Sequence, residues 1–289
     1  MGIDGLVPRS APVIVAGIDG SERSVAVLRW ADQQARLLGA WLVAVTAYGS
    51  GLADETDSPE AAAVAERALE RCLAQALSPE RARLAVRWLD PGDPADALIR
   101  RRDWWERLVV IGRHHRAPLR PLGSVTARVV GHAPAPVAIV HEESTVRSTG
   151  RIVVGVDGSP YARRALQWAA HYAERTDVKI EAILAWSGHH WDHPSVDAAP
   201  GSRREIQLER LLHDELSRLL QHHPVDVAGF VRTGHPAEVL RDAVADAELL
   251  VVGSHGRTPV LGRLAGSVSL QLVQHCEAPV VVVSGASTG

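Results

Sequence analysis

One internal duplication limits what this chain can fold into more than any other feature. Val13–Trp30 reads VIVAGIDGSERSVAVLRW, and Ile152–Trp168 reads IVVGVDGSPYARRALQW. Asp19 and Asp157 are 138 positions apart, and so are Trp30 and Trp168. Downstream, Asp90–Leu98 (DPGDPADAL) answers Arg232–Leu240 (RTGHPAEVL), and Leu108–Gly112 (LVVIG) answers Leu250–Gly253 (LVVG). Gly123–Val130 (GSVTARVV) answers Gly266–Val273 (GSVSLQLV), and an Ala-Pro-Val strand start follows each. A matched series in one order is a repeated structural unit. The polar stretch HEESTVRSTG, residues 141–150, joins the copies. The expected layout is a flexible arm at 1–10, a first domain at 11–142, a linker at 143–150 and a second domain at 151–285.

Each half reads as five strands alternating with four helices. In the second half the strands are expected near 151–156, 178–186, 225–231, 248–252 and 279–283. The helices are expected near 160–174, 203–221, 236–246 and 267–276. Short Val/Ile/Leu runs without polar alternation are strands buried on both faces. Strand–helix alternation implies right-handed crossovers and a parallel sheet. Ser159-Pro160 and His235-Pro236 place Pro at the first position of a helix, where its missing N–H costs nothing. The fold class is therefore α/β: two tandem Rossmann-like domains, each a five-stranded parallel sheet flanked by helices. Such open sheets bind ligands at the carboxyl ends of their strands.

Composition narrows the chemistry. Lys+Arg is 31 against 34 Asp+Glu, a net charge of −3, which provides no basic field for nucleic acid. The single Lys, Lys179, is far from any glycine loop, so a lysine-dependent phosphate loop is excluded. Cys72 and Cys276 have no metal or redox spacing and read as buried thiols in a reducing compartment. No apolar run reaches membrane-span length, and the N-terminus lacks a signal-peptide order. The expectation is a cytoplasmic protein without membrane or nucleic-acid partners.

The chemistry concentrates after the strand at 249–252. Gly253-Ser254-His255-Gly256, nine residues, then Gly266-Ser267 spell G-x-x-G-x9-G-S between a buried strand and a helix. Glycines let phosphates approach backbone N–H groups, and a helix N-terminus adds further donors. Ser267 is a candidate cap and hydroxyl donor, and Arg257 and Arg263 supply positive charge. Neither a Walker A loop nor a G-x-G-x-x-G fingerprint is present.

Together, G-[IV]-D-G-S, the G-x-P-A turn (Gly234, Pro236, Ala237) and G-x-x-G-x9-G-S resemble the universal stress protein family in its tandem-domain form. The resemblance spans about residues 12–284. It implies an adenine nucleotide α-hydrolase-like fold and, in the nucleotide-binding branch, ATP with Mg2+ bound through its phosphates. By position the nucleoside would meet Asp157, Gly155 beside it, and the backbone at Ala185-Trp186. The phosphates would meet Gly253, Ser254, His255, Gly256, Arg257, Thr258, Arg263, Gly266, Ser267, Val268 and Ser269. Asp157 also reads as a simple cap of the turn before the first helix.

The first half departs from this pattern. Gly112 and Gly123 are separated by 10 residues where Gly253 and Gly266 are separated by 12. His115 stands at the second glycine, and Pro118 and Pro121 remove N–H donors. A degenerate first site and an intact second site are expected. His189, His190 and His193 read as incidental loop histidines, so no metal site is expected. Trp104-Trp105 and Arg100–Arg102 read as the end of a first-half helix. Trp30 and Trp168 read as core packing, and the helix at 203–220 as amphipathic with a solvated charged face.

The functional expectation is an ATP-binding regulatory protein without catalytic residues, with an unidentified protein partner. The two domains are expected to form an intramolecular pseudo-dimer, with a homodimer as a further assembly. The rival readings are a slow ATPase or adenylating enzyme, and a nucleotide-free scaffold.

Overall fold

The structure is a computed structural model that describes residues 7–8, 11–49, 58–99, 107–113, 123–142, 149–187, 202–254 and 267–284. The chain divides into two compact units at about residue 146.

The first unit runs β1 (Val13–Gly17), α1 (Arg23–Leu37), β2 (Trp41–Tyr48), α2 (Pro59–Ala76), α3 (Pro79–Leu84), β3 (Val86–Pro91), α4 (Pro94–Ile99), β4 (Arg107–Gly112), α5 (Ser124–His132) and β5 (Val137–Val140). Its strand order is β3-β2-β1-β4-β5, and the pairs are parallel. Val13, Val15 and Ala16 of β1 are inaccessible to solvent, as a strand covered on both faces requires. α3 is a helix beyond the expected four. Six residues are too few to show a 3.6 period, although Ser78 caps it through the N–H of Arg81 at 3.3 Å. Within the expected N-terminal arm, Val7 is buried.

The second unit repeats the plan. It runs β6 (Arg151–Gly155), α6 (Pro160–Thr176), β7 (Lys179–Trp186), α7 (Arg203–Leu220), β8 (Val227–Thr233), α8 (Pro236–Ala243), β9 (Leu250–Gly253), α9 (Ser267–His275) and β10 (Val280–Val283). The order β8-β7-β6-β9-β10 mirrors that of the first unit, again with parallel pairing. In each unit the strand order reverses beside the first strand, between β1 and β4 and between β6 and β9. That is the switch point where open α/β sheets open a ligand crevice.

Burial follows the apolar pattern. Ile152, Val153 and Val154 of β6 are wholly buried, as are Leu250 and Val251 of β9. Trp30 is in the first core, whereas Trp168 is half-buried and stacks on Tyr172 with ring centroids 5.4 Å apart. α7 is amphipathic, with Leu208, Leu212 and Leu219 inward. Its inward Glu215 is neutralised by Arg163 of α6 at 2.9 Å. Cys72 and Cys276 are buried and not joined in a disulfide. Among the described residues no helix is long and apolar enough to cross a membrane.

Candidate functional site at the strand carboxyl ends

The G-[IV]-D-G-S motif builds the same turn in both units. Its last glycine has positive φ, +79° at Gly20 and +77° at Gly158, a conformation that a β-carbon disfavours. The turn lets the preceding Asp fold back on the chain. Asp157 Oδ1 accepts the Ser159 N–H at 2.8 Å, and Ser159 Oγ in turn caps α6 by accepting the Ala162 N–H at 3.1 Å. Asp19 Oδ1 accepts from the Ser21 N–H at 3.0 Å, the Ser21 hydroxyl at 2.6 Å and the Ser24 hydroxyl at 2.7 Å. Cys72 contacts this turn through the Ser21 carbonyl, and burial, followed by the charge of Asp19, pushes its thiol pKa up. A raised pKa keeps that thiol protonated and unreactive.

Around Asp157 the structure gathers the described part of the expected site. Gly155 ends β6, and a β-carbon there would come within 3.0 Å of Leu240 of α8. Ala185 is half-buried near the end of β7, next to Trp186, whose carbonyl accepts the Gly234 N–H at 2.9 Å. Gly253 ends β9 directly against the first turn of α6. A β-carbon on it would stand 2.7 Å from the Tyr161 carbonyl carbon, so this glycine is required by packing whatever it does for a ligand.

Ser254 and Ser269 close the two flanks of the glycine stretch. Ser254 is 2% exposed and Ser269 4%. The Ser254 N–H donates to the Val283 carbonyl at 2.9 Å, and the Ser254 carbonyl accepts the Ser269 hydroxyl at 3.2 Å. This second bond ties the end of β9 to the first turn of α9. Val268 is half-buried beside it. His255, Gly256, Arg257, Thr258, Arg263 and Gly266 lie outside the described residues, as does the Ser267 side chain. The same holds for His115, Pro118 and Pro121, for the tryptophans and arginines at 100–105, and for His189, His190 and His193.

The repeat-equivalent positions of the first unit enclose a cavity of about 210 Å³. Gly17, Asp19, Ala47, Gly112, Arg113 and Thr126 line it, in the places of Gly155, Asp157, Ala185, Gly253, Ser254 and Ser269. This position of the fold is therefore concave, and its polar groups converge. The units differ at one wall. Arg113, 8% exposed, stands where the second unit has Ser254, and its N–H makes the equivalent bond to the Val140 carbonyl at 3.0 Å. Arg23, paired with Glu142 at 3.1 Å, adds a second guanidinium. Sequence reasoning missed Arg113, Arg23 and Thr126. Aligning the halves on Gly112 and Gly253 places Arg113 opposite Ser254 directly.

Two doubly wound α/β units, each with a turn-held Asp and a glycine-flanked strand end, define a tandem Rossmann-like protein. The chain belongs to the universal stress protein family, whose pattern it matches twice, over residues 12–141 and 149–284. It is 29% identical over 295 aligned positions to the universal stress protein Rv2005c of Mycobacterium tuberculosis, covering 95% of this chain and 98% of that one. The universal stress protein Rv1996 of the same organism is 38% identical over 167 positions, covering 56% of this chain and 53% of that one. Among solved structures, a universal stress protein from Archaeoglobus fulgidus superposes with a TM-score of 0.69 at 19% identity, covering 94% of this chain and 98% of that one. At that identity the likeness concerns the fold.

Proposed function

We propose that the chain is a nucleotide-binding regulatory protein whose second unit holds ATP at the carboxyl ends of β6, β7 and β9. The observation that carries this reading is the clasp between Ser269 and Ser254, which ties the carboxyl end of β9 to the first turn of α9, on either side of the glycine stretch. Asp157 would receive a ribose or base hydrogen bond, and Ala185 would leave room for the nucleoside at the end of β7. The N–H groups of 253–258 and of the α9 N-terminus would hold the phosphates, together with Arg257 and Arg263, with Mg2+ carried on the phosphates. The concavity of the equivalent region in the first unit supports this placement. Arg113 takes space there that the second unit leaves to a serine, which supports a weaker first site.

The groups offered are binding groups: hydroxyls, backbone N–H donors and a carboxylate already engaged by Ser159. They suit a protein that changes partners or shape with nucleotide occupancy rather than one committed to turnover. Calorimetry of the full chain with ATP and ADP, and of Asp157→Ala, tests the reading. Loss of one charged hydrogen bond lowers affinity about 10- to 100-fold, or roughly 1.5–3 kcal/mol. Unchanged affinity would leave Asp157 a turn residue only. Phosphate release in step with binding would favour the ATPase reading instead.

A further inference from the structure

The second unit brings three metal-ligating side chains together at the pole opposite the glycine stretch. α6 begins at the carboxyl end of β6 and runs back to the amino end of β7. His171 and Glu174, in its last third, are three positions apart and share a helix face. His223 follows α7 and precedes β8, so it also lies at the amino-end pole. Its backbone is fixed by its N–H bond to the Leu219 carbonyl at 2.9 Å and by its own carbonyl accepting from Val225 at 3.0 Å.

His223 Nδ1 meets Glu174 Oε1 at 2.8 Å. The His171 and His223 rings are edge to face, with centroids 4.6 Å apart. One ligand atom from each of the three residues lies within 4.8 Å of the other two. His171 is also oriented from behind. Its Nδ1 is 2.8 Å from the Gln167 carbonyl, which can only accept, so Nδ1 donates in that bond and Nε2 is the nitrogen left to meet a metal ion. A backbone carbonyl holding the far nitrogen is the usual support of a metal-binding imidazole. A simple His–Glu pair accounts for His223 and Glu174 but leaves a second, tautomer-fixed imidazole at the same point.

We propose that His171, Glu174 and His223 form a surface site for a divalent transition-metal ion of the zinc class, independent of nucleotide. Two imidazole nitrogens and one carboxylate oxygen, completed by water, match zinc-class preferences, whereas Mg2+ and Ca2+ take oxygen donors. Tetrahedral bonds of about 2.0–2.2 Å set ligand atoms roughly 3.3–3.6 Å apart. The His223–Glu174 pair, now at 2.8 Å, would open slightly, and His171 would move in, which its exposed side chain allows. The bound ion clips α6 to the connection between α7 and β8, joining residues 49 positions apart in sequence. It stabilises the unit by mass action, because the unfolded chain lacks the arrangement.

Zinc titration of the full chain by calorimetry, after chelator treatment and dialysis, tests this. The chain has 14 histidines, so the variants must separate this cluster from the rest. The expected result is one saturable site, with a higher melting temperature in zinc. His171→Ala, His223→Ala and Glu174→Gln should each weaken it by at least about 10–100-fold, the range produced by losing even a supporting hydrogen bond at a metal site. A combined His189→Ala, His190→Ala, His193→Ala variant should retain it. Circular dichroism of each variant confirms that the fold is kept, and the near-isosteric Glu174→Gln guards against loss of packing. Three results each overturn the site: no saturable binding, binding lost only in the triple variant, or binding unchanged in His223→Ala.

Discussion

Ser269 donates its hydroxyl to the backbone carbonyl of Ser254 across 3.2 Å, and both residues are buried. The bond spans 15 residues and includes the whole glycine stretch. It fixes where the stretch leaves the sheet and where it enters α9. Ser269→Ala should therefore weaken ATP binding as well as stability. A buried neutral hydrogen bond contributes about 0.5–1.5 kcal/mol, which predicts roughly a 2- to 10-fold loss in affinity. Calorimetry and a thermal melt check both parts. Ser269→Thr keeps the hydroxyl and should retain more of each than the alanine variant.

Gly253→Ala tests packing at the same corner. The added methyl would stand 2.7 Å from both the carbonyl carbon and the Cβ of Tyr161, and 3.0 Å from the Ala162 nitrogen. These are mostly backbone atoms of a capped helix start and cannot swing aside. Overpacking of this kind costs about 1–3 kcal/mol. Chemical denaturation should show that loss without nucleotide present, because the clash is with α6 and not with a ligand. Wild-type stability in the variant would refute the close approach of β9 to α6.

Much of this architecture is legible in the sequence, for physical reasons that differ between elements. β6 and β9 are covered on both faces, so their apolar runs mark them clearly. β8 is expected at 225–231 but occupies Val227–Thr233, because it is the edge strand of its sheet order and largely exposed. Its weak apolar signal blurs its ends, and Val225 bonds back to His223 in the turn. The Asp157 turn follows from Gly158, which takes the positive φ that the motif demands. The Ser254–Ser269 bond does not follow from the motif, since spacing names candidate hydroxyls but not which carbonyl one of them reaches. Arg113 was hidden for a related reason: after a strand-ending glycine, an arginine reads as a loop charge. Its burial follows only from the way β4, β5 and the cavity wall enclose it.

Asp93 sets the entrance of α4, which carries the cavity-lining Pro94 and Leu98. Its Oδ1 accepts the N–H groups of Ala95 at 2.8 Å and Asp96 at 3.1 Å. Arg128 of α5 bridges Asp93 at 2.7 Å and Asp96 at 2.6 Å. Desolvation pushes the Asp93 pKa up. The hydrogen bonds from the Asp96 N–H, the Arg128 side chain and the Ala95 N–H outweigh it and hold the carboxyl below its ordinary value. A depressed folded-state pKa gives stability that is complete above the unfolded pKa and is lost as pH falls through the folded one. Asp93→Ala should cost about 0.5–2 kcal/mol at neutral pH, as capping losses do. The gap between wild type and variant should close below about pH 4, where Asp titrates when unfolded. Urea titrations at neutral and acid pH measure it; a gap that widened in acid would contradict the assignment.

The sharpest prediction exchanges the residues that distinguish the two units. Arg113 and Ser254 both follow a strand-ending glycine, and each N–H bonds to the last valine of the neighbouring strand, Val140 at 3.0 Å and Val283 at 2.9 Å. The backbone is therefore built to carry either side chain at that point. Wild type should bind one ATP tightly per chain. Ser254→Arg should place a guanidinium stem in the volume proposed for the nucleotide and lower affinity at least about tenfold, equivalent to roughly 1.4 kcal/mol. Arg113→Ser should leave the tight site unchanged, because that site is in the other unit. Isothermal titration gives stoichiometry and affinity for all three proteins, and melting curves confirm that each is folded. Two equal tight sites in wild type, tighter binding in Ser254→Arg, or a tight site lost in Arg113→Ser would each show that the asymmetry runs the other way.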